Sequence, residues 1–142
     1  MKYYFVDTNI FLRTLIKDEQ KSFDECCRFL KTVKLNKVKA ASSSLVLAEV
    51  IWTLSSYYGF SKEKSIQAVK SILNLRGLKI VDRFQPRISL NLFSKRNVKY
   101  IDTLIASIKE ILAKKWTVVS YDKDFDKLGV LRKEPGEVIR EI

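Results

Sequence analysis

The sequence predicts an α/β fold in which a parallel sheet is covered by helices on both faces. Short apolar or β-branched runs alternate with amphipathic helical patterns along the chain, and this alternation is typical of parallel α/β sheets. The chain has 142 residues, about the size of one globular domain, and no internal repeat or linker interrupts the pattern. We therefore expect a single domain over residues 1–142.

The first elements are predicted as strand, turn and helix. Tyr3 to Val6 is an aromatic and β-branched run, and Asp7-Thr8-Asn9 after it favours a turn and a helix start. Apolar residues then follow at helical spacing over residues 10–16 and again over residues 23–30. The short apolar run Val38 to Ala41 predicts the next strand.

The middle of the chain predicts two more helices and a strand. Ser42 to Ser44 supply a helix start, and the segment Leu45 to Leu54 is apolar nearly all round. Ser61 begins a second helix, for which Gly77 is predicted as the C′ residue. Leu78 to Val81 then predicts a strand.

The last third predicts two further helices and one strand. Arg87 to Lys95 has a helical pattern, and Tyr100-Ile101-Asp102 leads into a second helix whose apolar side chains between residues 104 and 112 share one face. The β-branched run Trp116 to Ser120 predicts the final strand of the series.

Composition excludes several classes of enzyme. Lys and Arg number 27 against 16 Asp and Glu, for a net charge of +11, and a domain this basic most often binds nucleic acid. Because there is no histidine, serine and cysteine triads, histidine-based nuclease chemistry and Cys/His zinc sites are excluded. GxGxxG and GxxxxGK motifs are absent, which argues against dinucleotide-binding and P-loop enzymes.

The cysteines and the N-terminus indicate a cytosolic protein. Cys26 and Cys27 are adjacent, so they are poorly placed to bridge each other, and we expect both to be reduced. The apolar start of the chain is too short for a secretory signal, and no run approaches the length of a membrane span.

Four acidic residues stand in contexts that a solvated surface does not explain. Asp7 and Asp122 directly follow apolar strands, and ligands bind at the carboxyl ends of strands in open parallel sheets. Glu49 interrupts the apolar segment, and Asp102 precedes the last helix at N-cap spacing. Structural roles remain open: helix caps for Asp7 and Asp102, and a buried ion pair for Glu49.

The repeat Asp122-x-Asp124-x-Asp126 suggests a calcium loop, but the rest of the loop does not fit. The sixth and twelfth positions need Gly and Glu, and they are Lys127 and Lys133 here. Asp124 and Asp126 are therefore expected to be solvated or to cap a helix.

Four carboxylates at one sheet edge repel one another unless cations hold them. Oxygen ligands alone favour Mg²⁺ or Mn²⁺. A metal-filled acidic pocket on a basic protein is suited to phosphodiester hydrolysis, because the basic surface binds the strand and the metal activates water.

Four motifs resemble those of the PIN-domain family, and specifically its single-domain ribonuclease toxins of the VapC type. They are Phe5-Val6-Asp7-Thr8-Asn9-Ile10, Leu45 to Val50, Ile101-Asp102-Thr103-Leu104-Ile105-Ala106 and Ser120-Tyr121-Asp122-Lys123-Asp124-Phe125. A lone Asp-Thr-Asn is weak, but four acidic motifs in this order and spacing cover nearly the whole chain.

The resemblance implies a three-layer α/β/α fold and a metal-dependent endoribonuclease that cleaves single-stranded RNA. It implies that one or two Mg²⁺ or Mn²⁺ ions are bound by Asp7, Glu49, Asp102 and Asp122. Asn9 and Ser120 would orient ligands or substrate, and Asp124 is a further candidate. Ser120 stands where the family usually has Thr, which keeps the hydroxyl. The resemblance also implies a homodimer and a small antitoxin partner.

Three alternatives remain open from the sequence. A PIN nuclease can instead act in ribosomal RNA maturation or RNA decay. A dehalogenase-type phosphatase also has an Asp after its first strand, but Asn9 replaces the second acid of that motif. A non-catalytic nucleic-acid-binding module would explain the charge and leave Glu49 unexplained.

Overall fold

A five-stranded parallel sheet forms the centre of the protein. The computed structural model describes all 142 residues. The strands are β1 (Tyr3–Val6), β2 (Lys39–Ser42), β3 (Leu78–Ile80), β4 (Thr117–Val119) and β5 (Arg132–Lys133). They lie in the order β3-β2-β1-β4-β5, and all four pairings are parallel.

Eight α-helices and one 3₁₀-helix connect the strands. They are α1 (Thr8–Leu15), α2 (Gln20–Lys34), α3 (Ser44–Ser56), α4 (Lys62–Leu73), α5 (Pro86–Lys95), α6 (Tyr100–Ala106), α7 (Lys109–Leu112), the 3₁₀-helix (Lys123–Leu128) and α8 (Pro135–Arg140). The predicted α/β fold with a parallel sheet and helices on both faces is confirmed. None of these helices combines the length and apolar character needed to span a membrane.

The strand order places a crevice between β1 and β4. The chain proceeds from β1 outward to β3 and then returns past β1 to β4. Because parallel crossovers are right-handed, this reversal puts α1 to α4 on one face of the sheet and α5 to α7 on the other. Ligands bind in such sheets at the carboxyl ends of the two strands where the order reverses.

The core is built mainly from the central strands and the helices packed on them. Phe5, Val6, Val118 and Val119 are fully buried, as expected for parallel strands covered on both faces. Both cysteines are free thiols, as predicted, and Cys26 belongs to this core.

The predicted role of Gly77 as a C′ residue is wrong. Helix α4 ends at Leu73 with Asn74 as its C-cap, and Gly77 lies in the turn before β3 with a φ of +91°. A Cβ there would lie 2.5 Å from the carbonyl oxygen of Val33. Close approach to α2 and the positive φ therefore both require glycine.

The helix predicted over residues 104–112 is interrupted. Helix α6 ends at Ala106, and the side chain of Gln85 donates to the carbonyl of Ser107 at 2.6 Å while its backbone N–H donates to Ser107 Oγ at 2.9 Å. These bonds replace helical ones at the break. The helical spacing of apolar residues nevertheless continues across the break, and Ile105, Ile108 and Ile111 are all buried.

Candidate active site

Asp7 lies at the carboxyl end of β1 and uses both of its carboxylate oxygens. Oδ1 accepts a hydrogen bond from the backbone N–H of Thr8 at 2.8 Å, so Asp7 caps α1. Oδ2 accepts from the hydroxyl of Ser120 at 2.6 Å and from the amide of Asn9 at 3.3 Å. The cap predicted as one option is therefore present, and the second oxygen faces the crevice beside β4.

Ser120 connects the ends of β1 and β4. Its hydroxyl donates to Asp7 and accepts from the side chain of Asn9 at 3.0 Å and from the backbone N–H of Asp122 at 2.9 Å. Asn9 also accepts from the backbone N–H of Tyr121 at 3.2 Å. Because every polar group of this connection has a partner, the two strand ends are held at a fixed separation.

Asp102 is not the predicted N-cap. Lys99 precedes α6 at the cap position, and Asp102 lies inside the first turn, where acidic residues are favoured by the helix dipole. The residue is buried, and its Oδ2 atom has no hydrogen-bond partner. Its carboxylate is therefore aimed into the crevice rather than used to satisfy the helix.

The surroundings of Asp7 and Asp102 favour their protonated forms. Burial is the largest cause and raises the pKa of Asp102 to about 8, with the nearby carboxylates of Asp122 and Asp7 adding to it. Burial likewise raises the pKa of Asp7 to about 6, against hydrogen bonds from Ser120 and Thr8. Ionisation of both carboxylates is thus unfavourable in this buried site.

Asp122 and Asp124 complete an acidic group around Asp102. One carboxylate oxygen of each of the three residues lies within 4.8 Å of the others. Asp122 caps the 3₁₀-helix by accepting from the N–H of Asp124 at 2.9 Å. Burial raises the pKa of Asp122, but hydrogen bonds from Lys99 and Asp124 outweigh it and hold the pKa below its usual value.

Glu49 faces the same pocket from α3, but this helix is not buried all round, as its apolar sequence had suggested. Glu49 is half-buried, and its Oε1 accepts from the hydroxyl of Thr8. The apolar residues that suggested burial include Ile51 and Trp52, which are 42% and 67% exposed. The helix is apolar on its outer side as well, so Glu49 needs no buried ion pair.

A pocket of about 170 Å³ brings three of the four predicted acids together. It is lined by Asp7, Thr8, Asn9, Leu12, Glu49, Thr53, Lys99 and Asp102. Asp122 and Asp124 lie outside this lining and join it through Asp102. The larger cavities of the protein contain none of these acids.

The donor set fits a hard divalent cation. It consists of carboxylate oxygens alone, and the partnerless buried oxygen of Asp102 is the kind of atom that a cation would satisfy. Asp102, Asp122 and Asp124 would hold the ion, and Asp7 and Glu49 line the pocket beside Asp102. When bound, a divalent cation activates water and neutralises charge on a phosphate.

Two contacts of the site escaped the sequence analysis. The hydroxyl of Thr8 positions Glu49. In the sequence, the only indication of a role for Thr8 is its position next to Asp7. Lys99 places its ammonium 2.9 Å from Asp122 Oδ2 and 3.9 Å from Asp102 Oδ2. Its spacing three residues before Asp102 allows this pair, but its contact with Asp122 depends on the tertiary fold.

Comparisons with known proteins agree with this geometry. The PIN domain family profile matches residues 4–131. A curated relative, the VapC ribonuclease of Aquifex aeolicus (strain VF5), is 27% identical over 135 residues, which cover 93% of this chain and 96% of the relative.

Two solved structures have the same fold. One is VapBC2 from Rickettsia felis bound to a promoter DNA fragment, with a TM-score of 0.68, 25% identity and coverage of 93% of this chain and 98% of the other. The other is DNA-bound VapBC from Salmonella typhimurium, with a TM-score of 0.67, 16% identity and coverage of 95% and 99%. With the profile match over most of the sequence, these findings show that the chain belongs to the PIN domain family.

Proposed function

We propose that this protein is a VapC-type endoribonuclease that hydrolyses phosphodiester bonds of single-stranded RNA and depends on Mg²⁺ or Mn²⁺. The catalytic and metal-binding residues in this proposal are Asp7, Glu49, Asp102 and Asp122, with Asp124 as a further metal ligand. Asn9 and Ser120 orient Asp7. The whole of residues 1–142 acts as one nuclease domain.

The observation that carries the proposal is the buried Asp102 oxygen without a hydrogen-bond partner, surrounded by carboxylates. A purely structural carboxylate would be capped or closely paired, as Asp126 is by Arg132 at 3.0 Å, whereas the Lys99 ammonium lies 3.9 Å from the Asp102 oxygen, beyond hydrogen-bond distance. The relative from Aquifex aeolicus, which is named a VapC ribonuclease, supports RNA as the substrate.

The side chains of the site divide the work. Ser120 and the N–H of Thr8 fix Asp7 in one orientation, and the hydroxyl of Thr8 holds Glu49 in the same pocket. The carboxylates repel phosphate by themselves, so RNA enters only when a cation offsets their charge. The net charge of +11 supplies the long-range attraction for the RNA backbone.

The direct test is cleavage of an unstructured RNA by the purified protein. We expect cuts in the presence of millimolar Mg²⁺ or Mn²⁺ and none after excess chelator, because the acidic pocket cannot accept a phosphate without a cation. Gel analysis of end-labelled RNA measures this, with single-stranded DNA of the same sequence as a control. Cleavage that persists in chelator would overturn the metal mechanism. Binding without cleavage under any condition would favour a non-catalytic RNA-binding module.

We also propose that the protein acts with a small antitoxin. The two structural relatives are VapBC assemblies, which supports a partner of this kind. Expression of the wild type should arrest growth of a bacterial host, expression of Asp7→Asn should not, and co-expression of a small protein encoded beside the gene should restore growth. Unimpaired growth with the wild type would favour a role in RNA maturation or decay.

A homodimer is proposed from the exposed apolar side of α3. Ile51, Trp52 and Tyr57 are exposed there, and Trp52 at 67% is unusual for a monomer. We expect sedimentation equilibrium at micromolar concentration to give twice the chain mass of 16.5 kDa. Trp52→Glu should give a monomer, and Phe93→Glu on α5 serves as the matched control. A monomeric wild type would contradict the proposal.

A further inference from the structure

Lys99 places a positive charge inside the acidic group of the pocket. Its ammonium lies 2.9 Å from Asp122 Oδ2, and Asp102 Oδ2 at 3.9 Å is the atom that has no hydrogen-bond partner. Lys99 also lines the 170 Å³ pocket together with Asp7 and Glu49. The ammonium is therefore next to the same oxygens that a divalent cation would use.

Few contacts restrain the Lys99 side chain. The side chain is 61% exposed, and its only ionic contacts are Asp102 and Asp122. A lysine carries a single point charge on a flexible four-carbon stem, unlike the planar fork of arginine. The ammonium can swing out to solvent when another cation enters, at the cost of the two ionic contacts.

We propose that Lys99 is a resident counter-cation of the pocket, which pairs with Asp122 and lies beside Asp102 in the metal-free protein and competes with the divalent cation for their oxygens. This inference rests on the metal site of the proposed function. The ammonium and a divalent cation compete for these oxygens, because the two positive charges repel each other at such a distance. Metal entry therefore includes the displacement of Lys99, and Lys99 weakens metal affinity while it stabilises the metal-free fold.

The test compares Lys99→Met with wild type, Lys99→Arg and Lys95→Met. Methionine keeps an unbranched apolar stem and removes the charge, while Lys95→Met removes an exposed charge of the neighbouring helix α5 that has no acidic partner. Mn²⁺ and Mg²⁺ binding is measured by calorimetry without RNA. Unfolding by urea is measured with chelator and with metal.

Lys99→Met should bind Mn²⁺ about tenfold more tightly than the wild type, since no ammonium has to be displaced. The same variant should be less stable than the wild type in chelator and gain more stability from metal. Lys99→Arg should keep the weaker affinity, and Lys95→Met should match the wild type.

Equal or weaker Mn²⁺ binding by Lys99→Met, with clear binding by the wild type, would overturn the role of Lys99 and leave the proposed function intact. An equal gain in affinity in Lys95→Met would also overturn it, because general surface charge would then be the cause. If no variant binds metal, the metal-dependent function fails and the inference with it.

Discussion

Replacing Asp7 with Asn is expected to lower the rate of RNA cleavage by about 10²- to 10³-fold, roughly 3 to 4 kcal/mol in the activation free energy. The asparagine side chain keeps an oxygen for the N–H of Thr8, so the cap of α1 survives, but it loses the negative charge and the second acceptor oxygen that Ser120 and Asn9 use. Removal of a buried charge that Glu49 and Asp122 repel offsets the lost acceptor. Initial rates on a labelled RNA at saturating Mg²⁺ measure the effect.

The control for this variant is Asp24→Asn, which changes an exposed acid of α2 away from the crevice. Its cleavage rate should equal that of the wild type. The unfolding midpoint of Asp7→Asn in chelator should differ little from that of the wild type, so lost activity cannot be attributed to unfolding. Cleavage by Asp7→Asn at a rate near that of the wild type would remove Asp7 from the catalytic group.

Replacing Asp102 with Asn is expected to stabilise the metal-free protein at alkaline pH by roughly 2 to 5 kcal/mol. The pKa of Asp102 is raised to about 8 in the fold, against an ordinary value of 3.8. Between these values the folded state binds a proton that the unfolded state has lost, so stability falls as pH rises. Asn cannot ionise, so this loss of stability does not occur in the variant.

Urea unfolding in chelator at pH 5 and pH 8.5 measures this effect. The wild type should lose stability across the interval, and Asp102→Asn should lose much less, with Asp7 (pKa about 6) accounting for a remainder. The chain has no histidine, so no imidazole adds its own titration in this interval. An Asp102→Asn variant that is less stable than the wild type at pH 8.5 would mean that its carboxylate has a structural role.

The positions of Asp7 and Asp122 could be predicted from the sequence because they depend on local order. Each follows a short apolar strand, and parallel strands bring their carboxyl ends to one edge whatever the details of packing. The strand order then places them on β1 and β4, which are neighbours. The hydroxyl of Ser120 between them follows from the same register.

The environments of Asp102 and Glu49 could not be predicted in this way. The spacing of apolar residues in α6 predicts that a helix is present but not at which residue it begins. The N-cap is Lys99, about one turn before the cap predicted at Asp102. The apolar sequence of α3 does not guarantee that every side of the helix is buried, because an apolar side chain can also lie on the surface. Trp52 is exposed in this way. The contact between Lys99 and Asp122 depends on distances between α6 and the segment after β4.

The bridge that Ser120 makes between β1 and β4 also bears on synthesis of the protein. It joins residues separated by 113 positions in the chain, and β4 enters the sheet only after the three strands before it have been made. A growing chain on the ribosome that stops just before β4 has Asp7, Glu49 and Asp102 but lacks Ser120, Asp122 and Asp124. Under the proposed function, such a fragment cannot cut RNA. The nascent chain therefore cannot cleave the mRNA that encodes it until translation is nearly finished.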